Sequence, residues 1–418
     1  MDVTLAYGED GLVVPVPDDA TVVVPTEQPP LADEAGAVAR ALHEPVTGPA
    51  LGELVARAAR VVVVFPDLTR PMPNRTVLPP LLAELEALGA GPERVELLCA
   101  TGTHRQATAA EMADLIGPDL VARYRVHDHR ADDEESHVTV GEVDGTAVRV
   151  DARYVAADLR ICTGFVEPHF FAGYSGGPKA VVPGLAATET ILEAHRPWRI
   201  ADPRATWTVT DGNPVHDFVR AATALCPPQL VLDVAIDRAR RLTAVFCGPL
   251  PEGHTAACEY VGRHAVVGVD GRFDVVLSTN GGHPLDRNLY QAVKGMAAAE
   301  RVVVDHGTIV VAAPCGDGVP AGSAFARILA AAERPEDLLA PAGPAEVDRW
   351  QAQVLGRILQ RADVWLCAEG LTDEEVRTAQ LRPVADVGAA VKEALARAGL
   401  GGRLCVLPEG PLTVATSG

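Results

Sequence analysis

Aromatic residues make up only 4% of this 418-residue chain, so Val, Leu and Ala must fill its cores. Cysteine pairs are missing too. The eight cysteines, at 99, 162, 226, 247, 258, 315, 367 and 405, are scattered, and no two form a CxxC pair. Most lie in apolar runs such as VELLCA and VWLCAE, which reads as reduced core thiols and a cytoplasmic protein. Positive charge is scarce: 36 Lys and Arg face 56 Asp and Glu, a net charge of −20. That balance argues against binding a nucleic-acid backbone, which needs clustered cations. A small anionic substrate would need local positive residues to hold it. No apolar run approaches the roughly 20 residues that span a bilayer, so no membrane association is expected. The opening MDVTLAYGEDGLVV lacks the basic and apolar regions of a signal peptide. Solenoid periods, heptads and low-complexity tracts are absent as well.

What is present is alternation. At 48% apolar and 22% charged, the chain is globular, and its length suggests about two or three domains. RVVVVFPD (60–67) reads as a buried strand and VLPPLLAELEALG (77–89) as the helix after it. RVELLCATGTH (94–104), TAAEMADLIG (108–117) and ADLRICTGFVEPH (157–169) continue the series. This predicts an α/β fold with mainly parallel sheets. The charged stretch 127–152 alternates with period 2 and reads as an antiparallel hairpin or surface excursion. A fresh strand–loop–helix series begins near 265–275, so a boundary is expected near 270. The expected organisation is an N-terminal α/β domain over 1–270 and a C-terminal one over 271–399. The tail from about 400 to 418 is expected to return to the first domain. A site in the cleft between two such domains is the usual arrangement.

Ligands bind beyond the carboxyl ends of strands in open parallel sheets. Three polar clusters fall there. VVVVFPDLTRPMP delivers Asp67 and Arg70; ELLCATGTHR delivers Thr101, Thr103, His104 and Arg105; LRICTGFVEPH delivers Glu167 and His169. A single strand-end histidine is more often a cap or solvated; three coincident clusters point to a shared site.

The segment GFVEPHFFAGYSGGPKAVVPGLA (164–186) sets His169 and Lys179 ten residues apart among apolar and glycine residues. A phosphate-binding loop of the GxxxxGK[ST] type is excluded, because Pro178 and Ala180 stand where glycine and a hydroxyl are required. Gly176 and Gly177 let the backbone approach a ligand closely; the bland reading is a tight turn with Lys179 in water. His195 closes a helical run from Thr188 and, alone, reads as a C-terminal histidine favourable to the helix dipole. His127 and His129 have the spacing of a strand metal pair but sit in the charged excursion. His216 is read near a helix start and His283 as a loop residue. Tyr290 and Lys294 share a helix face with Gln291 beside them, which reads as a wet cleft or as a solvated face.

Taken in order, PDLTRP (66–71), GTH (102–104), EPHFFAGYSGGPKAVVPG (167–184), His195 and YQAVK (290–294) resemble the nickel-pincer lactate racemase family. The resemblance spans about residues 60 to 300. It implies a racemase or C2-epimerase of a 2-hydroxy acid, with lactate, malate, aromatic and sugar acids all open. It implies a nickel-pincer nucleotide (pyridinium-3,5-bisthiocarboxylic acid mononucleotide nickel) joined through a thioamide to Lys179, with Ni(II) completed by His195. Neutral imidazole suits such a metal. The family's catalytic histidines correspond to His104 and His169. One takes the hydroxyl proton while the cofactor takes hydride, leaving a planar 2-keto acid that can reorient. Histidine titrates in the range this needs.

Arg70 is expected on the substrate carboxylate, which a guanidinium fork matches. Lys294 would assist; Asp67 would orient Arg70 or contact the cofactor, beside Gly176 and Gly177. Tyr290 and Gln291 match pocket positions, and Trp350 in EVDRWQAQVLG matches a family tryptophan or is a core residue. Partners implied are a small hydroxy acid and separate cofactor-maturation proteins; oligomeric state is not readable. Two alternatives remain. A nicotinamide-dependent dehydrogenase would need a GxGxxG after a strand, which is lacking. An inactive carboxylate- or metal-binding relative would not need both histidines.

Overall fold

The computed structural model describes residues 1–339 and 346–417. Residues 340–345, inside the expected second domain, and Gly418, at the end of the expected tail, lie outside the description. The chain forms two compact units. The larger comprises Glu27–His195 and Asp202–Arg263; the smaller comprises Met1–Thr26, Arg196–Ala201 and His264–Gly418.

The larger unit is built on six strands: β1 (Val61–Pro66), β2 (Val95–Ala100), β3 (Arg125–Asp128), β4 (Leu159–Phe165), β5 (Leu230–Ile236) and β6 (Leu242–Gly248). Their order across the sheet is β6-β5-β4-β1-β2-β3, all parallel except β6, which runs antiparallel to β5. Read from the β3 edge this is 3-2-1-4-5-6, and the winding reverses between β1 and β4. The run VVVVF is buried throughout because the sheet is covered on both faces. Val61, Val63 and Phe65 feed one core, with Leu78, Leu81 and Leu85 of α1 (Asn74–Ala87). Val62 and Val64 feed the other, with Leu98, Cys162 and Leu185. Alternate side chains of one strand thus anchor two layers. Three further helices matter for the site: α2 (Thr188–Ala194), α3 (Pro214–Ala224) and α4 (Glu252–Ala265).

The charged stretch does contain the expected hairpin, His137–Val143 against Thr146–Asp151. It is less superficial than its composition suggests. Residues 125–128 are the edge strand β3, and His129 is fully buried, its Nε2 3.1 Å from the carbonyl of Ala186. His127 lies against Glu96 at 3.3 Å. Among the described residues no three His, Cys, Asp or Glu side chains converge to hold a metal.

The smaller unit has its own sheet: β7 (Phe273–Thr279), β8 (Val303–Ala312), β9 (Ala362–Cys367), β10 (Arg382–Pro383) and β11 (Leu404–Leu407), with Thr21–Val22 at the edge. The order is β10-β9-β8-β7-β11 and then Thr21–Val22, all parallel. Helices α5 (Leu289–Glu300) and α6 (Arg349–Arg361) belong to this unit. The expected boundary near 270 is close to the observed change at 263/264, but the ends of the chain divide differently. Residues 1–26 belong to the smaller unit, and so does the tail. The reason is burial: Val3, Leu5 and Val14 of the N-terminal hairpin pack with Val275, Leu277, Trp365 and Val406. Strand β11 inserts beside β7, and Val414–Ser417 pairs with Val266–Val269. No helix among the described residues is long and apolar enough to cross a membrane.

Candidate active site

Asp67 follows β1 directly and is 3% exposed. Its Oδ2 accepts from Nδ1 of His104 at 2.8 Å, and its Oδ1 accepts from the hydroxyl of Thr69 at 2.7 Å. Burial opposes ionisation of this carboxyl, but His104, the Arg70 charge and Thr69 together hold it below its ordinary value. With Nδ1 committed to Asp67, a neutral His104 carries its lone pair on Nε2, on an imidazole that is exposed. Asp67 therefore orients His104 through its side chain, a pairing the sequence reading did not anticipate. Arg70 is half-buried beside it. The neighbouring polar residues have structural duties: Thr101 donates to the carbonyl of His129, and Arg105 pairs with Glu111 on the surface.

His169 lies beyond β4 on a two-residue ribbon, Pro168–His169 paired with Gly173–Tyr174. Here the backbone N–H of Ala172 donates to Nδ1 at 3.2 Å. A neutral His169 therefore carries its proton on Nε2, the opposite tautomer to His104. Phe170 stacks on its ring at 4.8 Å, and Phe171 meets it edge-on at 4.6 Å. Phe171 also meets the ring of His195 at 5.6 Å, so one aromatic side chain lies against both histidines.

The glycine segment is a closed loop. Ser175 donates from its N–H to the carbonyl of Glu167 and from its hydroxyl to that of Phe165. Gly176 and Gly177 then take φ of 78° and 51°, a conformation other residues adopt only with strain. Lys179 follows on a single 3₁₀ turn, Gly177–Ala180, and is half-buried. The loop continues to Gly184, whose carbonyl accepts from Gly102, tying the lysine segment to the one that carries His104.

His195 ends α2, and its Nδ1 donates to the carbonyl of Ile191 at 2.8 Å. That fixes Nε2 as the acceptor nitrogen of the neutral ring. Burial pushes its pKa down to about 4; the Ile191 bond opposes this and the nearby charge of Lys179 adds to it. His195 is thus a neutral imidazole close to Lys179.

The remaining predicted residues lie in the smaller unit. Tyr290, Gln291 and Lys294 are half-buried on α5, whose first turn is capped by Asn288. Trp350, at the start of α6, is 8% exposed, and its Nε1 donates to the Tyr290 hydroxyl at 3.0 Å. Trp350 is thus both buried and bonded to a predicted site residue.

Sequence reasoning missed a second group in the larger unit. Asp233 of β5 accepts the N–H of Gly177 and pairs with His254 of α4, which in turn meets Cys258. The available signals were a carboxylate inside the apolar run LVLDVAI and a His–Cys pair four residues apart on one helix. His216 was read near a helix start; it lies in the first turn of α3, buried, donating to the carbonyl of Ala172.

Comparison with known proteins decides the family. A family profile described as "Lactate racemase N-terminal domain" matches residues 7–208, and one described as "Lactate racemase C-terminal domain" matches residues 270–415. The lactate racemase of Thermoanaerobacterium thermosaccharolyticum is 34% identical over 427 residues, covering 98% of both proteins. The chain belongs to the lactate racemase family. As a member it is an enzyme, an isomerase. The lactate racemase of Lactiplantibacillus plantarum is 32% identical over 384 residues, 90% of each chain. The apoprotein structure of the Thermoanaerobacterium enzyme superposes with a TM-score of 0.93 at 33% identity, covering 99% of this chain and all of that one. A Thermotoga maritima protein shares the fold alone, at 18% identity and a TM-score of 0.69, over 94% of this chain and all of that one.

Proposed function

We propose that this enzyme racemises or epimerises a 2-hydroxy acid at C2, through a 2-keto acid intermediate. The relatives carry the name lactate racemase, which makes lactate the first substrate to test. The observation that carries the reading is the pair of histidines around the point where the strand order reverses: His169 beyond β4, and His104, beyond β2, held by Asp67 at the end of β1. His104 is held with its lone pair on Nε2, and His169 with its proton there.

The residues fit a tethered nickel-pincer nucleotide. His195 offers one neutral nitrogen donor, and no set of three protein ligands converges among the described residues. A metal at His195 would take its other donors from a bound organic group. Lys179, on its fixed turn near His195, is the proposed attachment amine, with Asp67, Gly176 and Gly177 around the group. When bound, the group supplies a hydride acceptor and donor, a role no side chain can fill.

The chain's own residues handle the proton and the substrate. The Cα–H is a very weak acid, so the tractable proton is that of the hydroxyl. His104 takes it at Nε2, and the carboxylate of Asp67 stabilises the resulting imidazolium. His169 gives a proton from Nε2 to the substrate oxygen on the other approach as an imidazolium. That state requires its Nδ1 to hold a proton and release the Ala172 N–H, and the transfer leaves the ring neutral with the lone pair on Nε2. For the opposite hand of substrate the two exchange roles, His169 taking the hydroxyl proton at Nε2 and the His104 imidazolium returning one. Arg70 is proposed on the carboxylate. Lys294, Gln291, Tyr290 and Trp350 of the smaller unit are proposed as further substrate contacts. Eight free thiols support a cytoplasmic location.

The test combines intact mass, nickel analysis and a panel of enantiopure 2-hydroxy acids, after co-expression with cofactor-maturation proteins. Modification at Lys179, about one nickel per chain and racemisation of at least one acid are expected. An unmodified, nickel-free and inactive protein would overturn the reading.

A further inference from the structure

The turn before Lys179 rests on buried polar groups that the proposed chemistry leaves unused. Asp233 is 1% exposed, within an otherwise apolar strand. Its two carboxylate oxygens accept the N–H of Gly177 at 3.2 and 3.1 Å. Its Oδ2 also accepts from Nδ1 of His254 at 2.7 Å. One helical turn along α4, Sγ of Cys258 lies 3.3 Å from Nε2 of His254. Both residues are buried. The imidazole fills the space over Gly177, where an added Cβ would fall 2.3 Å from its Cγ. On another side the ring of His216 stacks at 6.3 Å with an interplanar angle of 15°.

Two consecutive glycines with positive φ permit this turn but do not enforce it, because glycine has the most alternatives to lose. Something outside the loop must select the conformation. Asp233 does so by holding a backbone N–H, and His254 does so by occupying the volume beside it. The electrostatics agree with the geometry. Burial opposes the charge on His254, but Cys258 and Asp233 outweigh it and raise its pKa to about 10. Burial pushes His216 down to about 3, helped by the His254 charge and by Lys179, against its bond to Ala172. The two stacked rings are thus pushed in opposite directions, His254 towards the protonated form, which carries a donor for each of Asp233 and Cys258, and His216 towards the neutral one.

We propose that Asp233, His254 and Cys258 form a positioning relay that fixes the Gly176–Gly177 turn and thereby the reach of the Lys179 amine. The proposal rests on the reading of Lys179 as the working amine. Lys179 lies two residues beyond Gly177, and its own N–H donates to the carbonyl of Gly176 at 3.1 Å. Rotation of the turn therefore moves its Cα directly.

The chain contains only three lysines, Lys179, Lys294 and Lys392, so an acetylating succinimidyl ester reads each one by peptide mass spectrometry. The experiment uses the full-length chain without cofactor. In Asp233→Asn and His254→Asn, acetylation of Lys179 should accelerate about fivefold or more while Lys392 is unchanged. Exchange of the Gly177 amide should accelerate about tenfold or more, with the β2 amides unchanged. Cys258→Ala should show the same pattern at smaller amplitude, which covers the case in which the Asp233 variant does not fold. Histidine NMR on the unaltered chain gives a reading no generic packing role would move: both nitrogens of His254 should carry protons at pH 8. A folded Asp233→Asn with wild-type Lys179 and Gly177 rates, or a singly protonated His254 at pH 8, would overturn the relay. Failure of nickel loading with an intact relay signature would instead count against Lys179 as the attachment point.

Discussion

The two sheets of this protein offer the same opening and use it differently. In the larger unit the winding reverses between β1 and β4, and in the smaller between β7 and β11. Each reversal separates the loops that follow two adjacent parallel strands, the usual place for a ligand. In the larger unit those loops carry Asp67 and His169; Asp67 holds Nδ1 of His104, which comes from the neighbouring loop after β2, and the Ala172 N–H meets Nδ1 of His169. In the smaller unit the polar groups at the reversal are turned on the backbone. Thr279 donates to the carbonyl of Pro408, and Asn280 accepts from Gly295 and donates to Leu285. Gly410 sits so close that a Cβ would fall 1.9 Å from the carbonyl oxygen of Thr279. Topology opens a crevice in both units; in the one its side chains set the nitrogens of the proposed catalytic histidines, and in the other they bind backbone.

The largest expected effect tests the reactive side of that contrast. His169→Ala should lower turnover by on the order of 10³-fold with little change in melting temperature. Full turnover in that variant would erase the distinction between the two reversals. Asp67→Asn comes next, at about 10²-fold in kcat, because the amide cannot stabilise an imidazolium at His104. A compensating drop in KM, or no change at all, would mean that Asp67 does not act through His104.

Gly410→Ala should destabilise the chain by several kcal/mol, on the order of 3, since backbone must shift to admit the methyl group. Retention of the native melting temperature would show the crossing to be less rigid than its contacts imply. Stability should also depend on pH through the buried histidines. His254 is raised from about 6.5 to about 10, so its contribution is complete below about 6.5 and is lost as pH rises towards 10. His216 is lowered to about 3, so its contribution is present above about 6.5 and is lost as pH falls towards 3. Urea midpoints across pH 4 to 10 should fall at both ends, and His254→Asn should flatten the alkaline limb and, by removing the charge that depresses His216, soften the acid one to a smaller extent. The smallest effect belongs to the structural reversal: Thr279→Val should cost about 1 kcal/mol and leave kcat unchanged.

Much of the larger unit was legible from local pattern. The runs VVVVFP and VELLCA are long, apolar and followed by turn residues; β1 ends within a residue of the expected 60–67, while β2 stops at Ala100, four residues short of the expected 94–104, because the polar TGTH leaves the sheet. The helix expected over TAAEMADLIG (108–117) begins where Thr108 and Glu111 form a capping box. The strand-end clusters at Asp67, His104 and His169 were legible for the same reason, since polar residues just past an apolar run must emerge at the sheet's carboxyl edge. Less legible was the allocation of residues 1–26 and of the tail, because a parallel edge strand takes a partner from anywhere in the chain.

By itself, then, the sequence determined the alternation of strands and helices, the glycines at 176 and 177 and the identity of the groups at the strand ends. These depend on residue type and on spacings of a few positions. Only the tertiary structure decided which nitrogen of each histidine carries its proton, because that depends on Asp67 for His104 and on the Ala172 N–H for His169. It alone decided that Asp233 and His254, 21 residues apart, meet beneath Gly177, 56 residues from Asp233. Hydrogen bonding acts over about 3 Å in space, and at such separations chain order says nothing of that distance.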